Sequence, residues 1–252
     1  MSAAVPPHAG ALPVALVTGG VRGIGLACAR ELARRGYEVW VGWRSSEQRA
    51  ARLSEEFGGR MLRADLADPS EAQRLADELA RTRAGIDAWI HCAGDYHAGP
   101  LESTGAEVLA ELWSSNVVTF HNTWRALRPR LRARAANGGA RVLAFGAPGL
   151  AGLRARRDAA AYAAVKSALV VLVRSLAVEE AAHGVTFHVL SPGLVPHDAA
   201  HAQTLDPRML ERVPQRRAAS PDEIARCAAW LLSDEARHAT GSELVVSGGW
   251  ML

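Results

Sequence analysis

Two stretches of this sequence carry residues whose types and spacing can do chemistry. In Tyr162-Ala163-Ala164-Val165-Lys166 a phenol and an ammonium stand four residues apart, so on a helix they project from one face about a turn apart. A phenol of pKa ~10 is a poor acid–base group near neutrality, and a nearby ammonium favours the phenolate and draws that pKa down. The pair predicts proton transfer, with Tyr162 as the acid–base group and Lys166 as its electrostatic partner. The alternative is a Tyr–Lys pair on a helix surface with no role. The second stretch, Thr18-Gly19-Gly20-Val21-Arg22-Gly23-Ile24-Gly25, follows the apolar run Val14–Thr18. Glycines at such a turn let the backbone approach a pyrophosphate, and the following helix offers its first N–H groups to the anion. A turn used for tight packing alone is the other reading, but its place after the first strand favours nucleotide binding.

The elements that must position these residues alternate along the chain. Val14–Thr18, Glu38–Trp43, Arg60–Ala64, Ala88–His91, Arg141–Phe145, Thr186–Leu190 and Glu243–Val246 read as strands, several as continuous apolar runs suited to burial on both faces. Ile24–Arg35, Glu47–Phe57, Ser70–Arg83, Glu107–Ala135, Ala159–Ala182 and Pro221–Leu232 read as helices, with Ser70 and Ser220 as helix starts. This alternation predicts an α/β fold: a single-domain, doubly wound (Rossmann) parallel sheet of about seven strands flanked by helices. At 252 residues one such domain fits. The segment 192–219, rich in Pro and His and without a period, is predicted to be a lid over the site.

Composition excludes several classes. A formal charge of +3, from 29 basic and 26 acidic residues, gives no nucleic-acid signal. Cys28, Cys92 and Cys227 lie far apart, without metal or disulfide spacing, and read as thiols of a reducing compartment. No metal site is expected. Residues 1–13 lack a basic region followed by an apolar run and read as a flexible N-terminus, not a signal peptide. No continuous apolar stretch reaches the ~18 residues of a membrane span, so a cytoplasmic protein with no membrane partner is expected.

The second strand ends Gly42-Trp43-Arg44-Ser45. A carboxylate there would accept hydrogen bonds from the ribose hydroxyls of NAD. Trp43 stands at that place and Arg44 follows; an arginine can pair with a 2′-phosphate in fork geometry. Arg22 in the glycine turn adds a second positive charge, and together they predict NADPH (NADP+).

The TGxxxGIG spacing of Thr18–Gly25, with Tyr162-x-x-x-Lys166 about 140 residues later, resembles the short-chain dehydrogenase/reductase family, classical type, and its 3-oxoacyl-[acyl-carrier-protein] reductases. The resemblance runs from about Val14 to Gly249 and takes in Ser220-Pro221-Asp222-Glu223-Ile224-Ala225, Thr240-Gly241 and Gly248-Gly249. It implies that Thr18, Gly19, Arg22, Gly23, Ile24, Gly25 and Arg44 hold the cofactor, that Asp65-Leu66 contacts its adenine, and that Ala93-Gly94 approaches its ribose. It implies that Pro192, Gly193 and Val195 lie beside the nicotinamide. Tyr162 then donates the proton to the carbonyl oxygen, Lys166 also holds the nicotinamide ribose, and Asn116 distorts its helix and supports a proton relay.

Three departures stand out. His91-Cys92-Ala93-Gly94 replaces the family's NNAG, leaving the two amides' hydrogen bonds in question. The serine expected after the fifth strand is missing: no hydroxyl occurs from Arg141 through Ala161, and Ala147 is the candidate for its place. His97 is a candidate substitute in the substrate pocket, with a loop-packing histidine as the plainer reading. His197 stands where a threonine often holds the carboxamide or phosphate. Losing one such donor typically costs ~10²–10³ in rate.

The implied function is NADPH-dependent reduction of a carbonyl (3-oxoacyl, ketone or quinone-like) on a small or carrier-bound substrate, with pterin-type C=N reduction as an alternative substrate class. A nucleotide-binding protein of this fold with weak or no catalysis is the alternative from another class. A homodimer or homotetramer is implied. Two arginine groups, Arg125, Arg128, Arg130, Arg132 and Arg134, then Arg154, Arg156 and Arg157, read either as solvated faces or as a landing surface for an acidic carrier protein.

Overall fold

Short apolar runs become central strands when helices cover both faces of the sheet. The computed structural model describes residues 12–82, 85–150 and 155–251. Its strands are β1 (Val14–Thr18), β2 (Glu38–Trp43), β3 (Met61–Arg63), β4 (Ala88–His91), β5 (Ala140–Phe145), β6 (Val185–Pro192) and β7 (Glu243–Val246). They form one sheet, parallel at every pairing, in the order β3-β2-β1-β4-β5-β6-β7. β1, β4 and β5 are buried along their whole length, which is why their sequences do not alternate.

Helices α1 (Gly23–Arg34), α2 (Glu47–Ser54), α3 (Pro69–Thr82), α4 (Ala106–Trp113), α5 (Thr119–Arg132), α6 (Ala160–Glu179), α7 (Ala199–Gln203), α8 (Pro207–Glu211) and α9 (Pro221–Leu231) complete the chain. Leu75, Leu79, Phe120, Leu127, Leu169 and Val173 pack on one face of the sheet. Leu32, Ala50, Ile224 and Leu231 pack on the other, so the doubly wound arrangement holds. The chain runs outward from β1 through β2 to β3, then returns to place β4 on β1's other side. That reversal opens a crevice at the carboxyl ends of β1 and β4, the usual ligand position in such sheets.

Three local expectations are refined. The helix expected over Glu107–Ala135 is interrupted by a π-helical turn at Ser114–Val118. Side chains cause this: Asn116 Nδ2 donates to the Leu112 carbonyl at 3.0 Å and Thr119 Oγ1 to the Ser115 carbonyl at 2.6 Å, each competing with a backbone amide for its acceptor. The third helix begins at Pro69, not Ser70, because Asp68 Oδ1 accepts the Ser70 N–H at 2.8 Å. Ser220 caps α9 as expected, in a reciprocal pair with Glu223. The segment 192–219 contains the two short helices α7 and α8. Residues 1–11 of the N-terminal segment, and Arg154, lie outside the described residues.

Arginines expected at the surface hold the scaffold instead. Arg128 and Arg132 converge on the buried Glu180. Arg130 pairs with Asp77, and Arg134 with the buried Asp87, which also accepts the Val14 amide at the entry to β1. Four of the five members of that cluster therefore make ion pairs within the chain, while Arg128 and the Asp77 partner of Arg130 stay about half exposed. α6 is long and apolar enough to cross a membrane by length and composition alone. Here Leu169, Val173 and Leu176 of α6 pack into the core, and the helix carries the buried Lys166.

Candidate active site

The crevice is shaped by backbone that must come close. Gly19 has φ +74°, and a Cβ there would lie 2.8 Å from the backbone of Cys92 and Ala93, so the turns after β1 and β4 can touch only without a side chain. Gly94 has φ +150°, and a Cβ on it would collide with Asn116 Oδ1. α1 begins after Arg22 with no side-chain cap and no acidic residue in its first turn, leaving its first amides available to an anion. A cleft of about 250 Å³ runs from Gly19 past Arg22, Arg44 and Asp65 to Gly94. Arg44 Nη1 stands 3.9 Å from Asp65 Oδ1, with both side chains about half exposed. Ser115 and Thr119 line the same cleft. Glycine backbone, an uncapped helix start and two arginines make a cradle that fits a phosphorylated dinucleotide.

His91 resolves the question left by the altered NNAG. It is buried, and its ring bridges two elements: Nδ1 lies 3.1 Å from Thr18 Oγ1 and Nε2 lies 3.4 Å from Thr119 Oγ1. Thr119 Oγ1 donates to the Ser115 carbonyl at 2.6 Å and so accepts from Nε2–H, while Thr18 Oγ1, whose other acceptor, the Ile90 carbonyl, lies farther off at 3.4 Å, donates to Nδ1 at 3.1 Å. Burial pushes the imidazole pKa down to about 3, which keeps that tautomer neutral. One ring thus joins the end of β1 to the helix after the π turn, the work expected of an asparagine amide.

Tyr162 and Lys166 sit one turn apart on α6 as expected, but their electrostatics differ from expectation. The Lys166 ammonium donates to the Phe145 carbonyl at 2.9 Å and lies 5.7 Å from the centre of the Tyr162 ring, over its face. Burial lowers the Lys166 pKa to about 8. Burial raises the Tyr162 phenol above its ordinary value, Tyr96 adds to the rise and Arg156 opposes it. The expected drop does not occur in the protein alone, because the cation faces the ring and β5, and desolvation dominates.

Asn116 is fully buried on the π turn. Its Nδ2 reaches the Leu112 and Asp95 carbonyls, while Oδ1 has no hydrogen-bond partner. Ala147 is buried just past β5, with no hydroxyl beside it in sequence.

Residues 19–251 match the family model described as enoyl-(acyl carrier protein) reductase. The 3-oxoacyl-[acyl-carrier-protein] reductase of Escherichia coli is 32% identical over 241 residues, spanning 94% of this chain and 96% of that protein. The chain belongs to the short-chain dehydrogenase/reductase family. An acetoacetyl-CoA reductase of Rhizobium meliloti is 30% identical over 94% of this chain and 97% of its own length. The Pseudomonas aeruginosa RhlG/NADP complex superposes with TM-score 0.85 at 32% identity, covering 95% of this chain and 96% of that one. A blue fluorescent protein from a metagenomic library, in complex with NADPH, gives 0.86 at 28% identity over 95% and 98%.

Within this short-chain dehydrogenase/reductase fold the remaining candidates fall unevenly. Gly193 donates its amide to the Val246 carbonyl at 2.9 Å, and Val195 packs partly buried against the α1–α9 face. His197 reaches the glycine turn: a Cβ on Gly23 would lie 3.3 Å from His197 Nδ1. His97 turns back onto Gly99. Its neighbour Tyr96, missed in the sequence, meets Tyr162 edge to face at 4.8 Å between ring centres. The loop carrying it is tied on both sides: Asp95 N–H donates to Ser115 Oγ at 3.3 Å, and Gly99 N–H to the Asp158 carbonyl at 2.8 Å. Arg156, read from the sequence as a surface charge, is half-buried and donates to the Pro148 carbonyl. An aromatic two residues past the glycine of a β4 turn was the available signal for Tyr96; Arg156 offered none.

Proposed function

We propose that this chain is an NADPH-dependent reductase of carbonyl substrates, first among them 3-oxoacyl thioesters, with ketones and quinone-like compounds in the same class. The reading is supported by a cleft bearing Arg22 and Arg44 whose Gly94 packs on Asn116, together with Tyr162 and Lys166 one turn apart on α6. Two relatives, each matched over 94% of this chain, are named for reducing 3-oxoacyl and acetoacetyl thioesters.

Bound NADPH supplies the hydride that goes to the carbonyl carbon. Tyr162 gives its phenolic proton to the carbonyl oxygen as charge develops there. A raised phenol pKa keeps that proton in place at neutral pH, which suits reduction and handicaps the reverse oxidation. Lys166 holds the nicotinamide ribose and passes a proton back to Tyr162, and the unpartnered Oδ1 of Asn116 accepts a hydrogen bond from a water that resupplies Lys166. Thr18–Gly25 holds the pyrophosphate and Arg44 the 2′-phosphate. Asp65 and Leu66 face the adenine, Ala93 and Gly94 the ribose, and Pro192, Gly193 and Val195 the nicotinamide. The segment 192–219 closes over the site, and His197 brings it to the glycine turn.

Arg44→Ser is expected to weaken NADPH binding about 10–100-fold, the worth of one charge-assisted pair, and to leave NADH binding unchanged. Titration of both cofactors checks this, and equal losses would refute the 2′-phosphate role. Oxidation of NADPH by the purified chain, against 3-oxoacyl thioesters, ketones, quinones and pterins, tests the whole reading. Turnover with a carbonyl supports it, and pterin turnover moves the substrate class to C=N. Tight NADPH binding with no turnover favours a binding protein, the reading that Ala147 in place of a serine keeps open.

Association into a homodimer or homotetramer follows from α4 and α6, which pack together and leave Leu109, Trp113, Val171 and Val178 exposed on apolar ground. The Val171→Asp/Val178→Asp variant should be monomeric by light scattering; a monomeric parent chain would sink this. The three free thiols fit a reducing, cytoplasmic setting.

A further inference from the structure

The reductase reading leaves one chemical gap. Hydride addition builds negative charge on the carbonyl oxygen, and in this chain the residue after Gly146 is Ala147, with no hydroxyl anywhere from Arg141 through Ala161. Two donors at that loop are already spent, Ser191 Oγ beside Gly146 on Glu243 and the Lys166 ammonium on the Phe145 carbonyl, and three other described side chains near the loop or Tyr162 bear donors. His97 folds back onto Gly99. Tyr96 sets its ring edge to face against the Tyr162 ring and is two-thirds exposed, so its contact is with the ring. Arg156 is the third. Its Nη1 donates to the carbonyl of Pro148, the residue next to Ala147, and a Cβ on Gly149 would lie 3.4 Å from the same nitrogen.

The placement of Arg156 is built rather than incidental. It precedes α6 by four residues, on a segment anchored to the loop that carries Tyr96: the Gly99 amide donates to the Asp158 carbonyl, and Gly99 and Ala159 form an isolated parallel bridge. Its guanidinium is close enough to the Tyr162 phenol to oppose the rise in that group's pKa. A guanidinium has five N–H donors, and binding the Pro148 carbonyl leaves others to point elsewhere.

We propose, resting on the reductase reading above, that Arg156 replaces the absent serine: its guanidinium donates a hydrogen bond to the substrate carbonyl oxygen that Tyr162 protonates. The substitution is chemically sensible. A charged donor binds a neutral carbonyl modestly and an oxygen acquiring negative charge strongly, so its contribution grows toward the transition state. The Pro148 carbonyl keeps the fork in register, as a second hydrogen bond on the serine would.

The test uses three variants of the full chain on the best carbonyl substrate. Arg156→Ala should lower kcat about 10²–10³-fold, the loss typical of one such donor, with NADPH affinity and melting temperature unchanged. Arg156→Lys should recover little, because a point charge on a shorter reach does not reproduce the fork. Ala147→Ser in the Arg156→Ala background should recover most of the lost kcat, since it restores a hydroxyl donor beside the same oxygen. Recovery by serine is the decisive readout, because a merely structural arginine would not be replaced by it. Activity of Arg156→Ala within twofold of the parent overturns the proposal. So does a loss of activity that tracks a loss of NADPH affinity or melting temperature, or that serine fails to repair. A parent chain that reduces no carbonyl overturns the reductase reading and this inference with it; an active parent with an indifferent Arg156 overturns the inference alone.

Discussion

Replacing Tyr162 with Phe is expected to lower carbonyl reduction about 10³-fold, within the range a positioned acid contributes, while NADPH affinity stays within about twofold of the parent. The two effects separate because the substitution removes one hydroxyl and leaves the ring. The phenylalanine keeps the edge-to-face contact with Tyr96 and the face presented to the Lys166 ammonium. Burial that raises the phenol pKa makes the side chain a proton store at neutral pH, so its loss removes the acid itself. Single-turnover reduction and equilibrium titration of NADPH measure the two quantities. Turnover close to the parent's would mean that another group protonates the oxygen.

Lys166→Met is expected to abolish most turnover yet stabilise the fold at neutral pH. The ammonium is 6% exposed and loses its proton near pH 8, against an ordinary 10.5. Below pH 8 both the folded and unfolded chains hold that proton, and the folded state bears the full cost of burying the charge, about 3 kcal/mol. As pH rises from about 8 to 10.5 the folded chain has already released the proton while the unfolded chain still binds it. Stability from this group therefore increases across that window. Methionine fills similar volume without the charge, but leaves the Phe145 carbonyl without its donor, a loss of about 1–2 kcal/mol. The net expectation at pH 7 is a gain of about 1–2 kcal/mol, read by urea denaturation. That gain should shrink in parallel titrations taken toward pH 10. A variant less stable than the parent at every pH would show that the ammonium is held favourably. In the parent, turnover should decline as pH passes about 8, where Lys166 loses the charge with which it supports the relay.

Much of the fold was legible because its signals are local. Continuous apolar runs such as Val14–Thr18 and Arg141–Phe145 can be buried strands in few ways, and helices between them force parallel pairing. The Ser220–Glu223 cap was readable because both partners lie within one turn. The π turn at Ser114–Val118 was legible only through the family resemblance at Asn116, since an uninterrupted helical pattern runs through it and the cause is a competition among side-chain and amide donors for the Leu112 and Ser115 carbonyls. The arginine cluster was half legible for a related reason: charge at helical spacing shows an exposed face but not Glu180, Asp77 and Asp87, which arrive from elsewhere in the chain.

The candidate site divides along the same line. The sequence by itself determined the family, the glycine turn and the Tyr162–Lys166 spacing, because each is a pattern within one short segment. Only the tertiary structure decided what surrounds them. His91 takes an asparagine's place because Thr18 and Thr119, one on β1 and one on α5, converge on its two nitrogens. Tyr162 is raised and Lys166 lowered because folding strips water from both, a desolvation that no spacing encodes. Arg156 turns inward because the loop before α6 is pinned to Gly99, a contact between segments more than fifty residues apart in sequence.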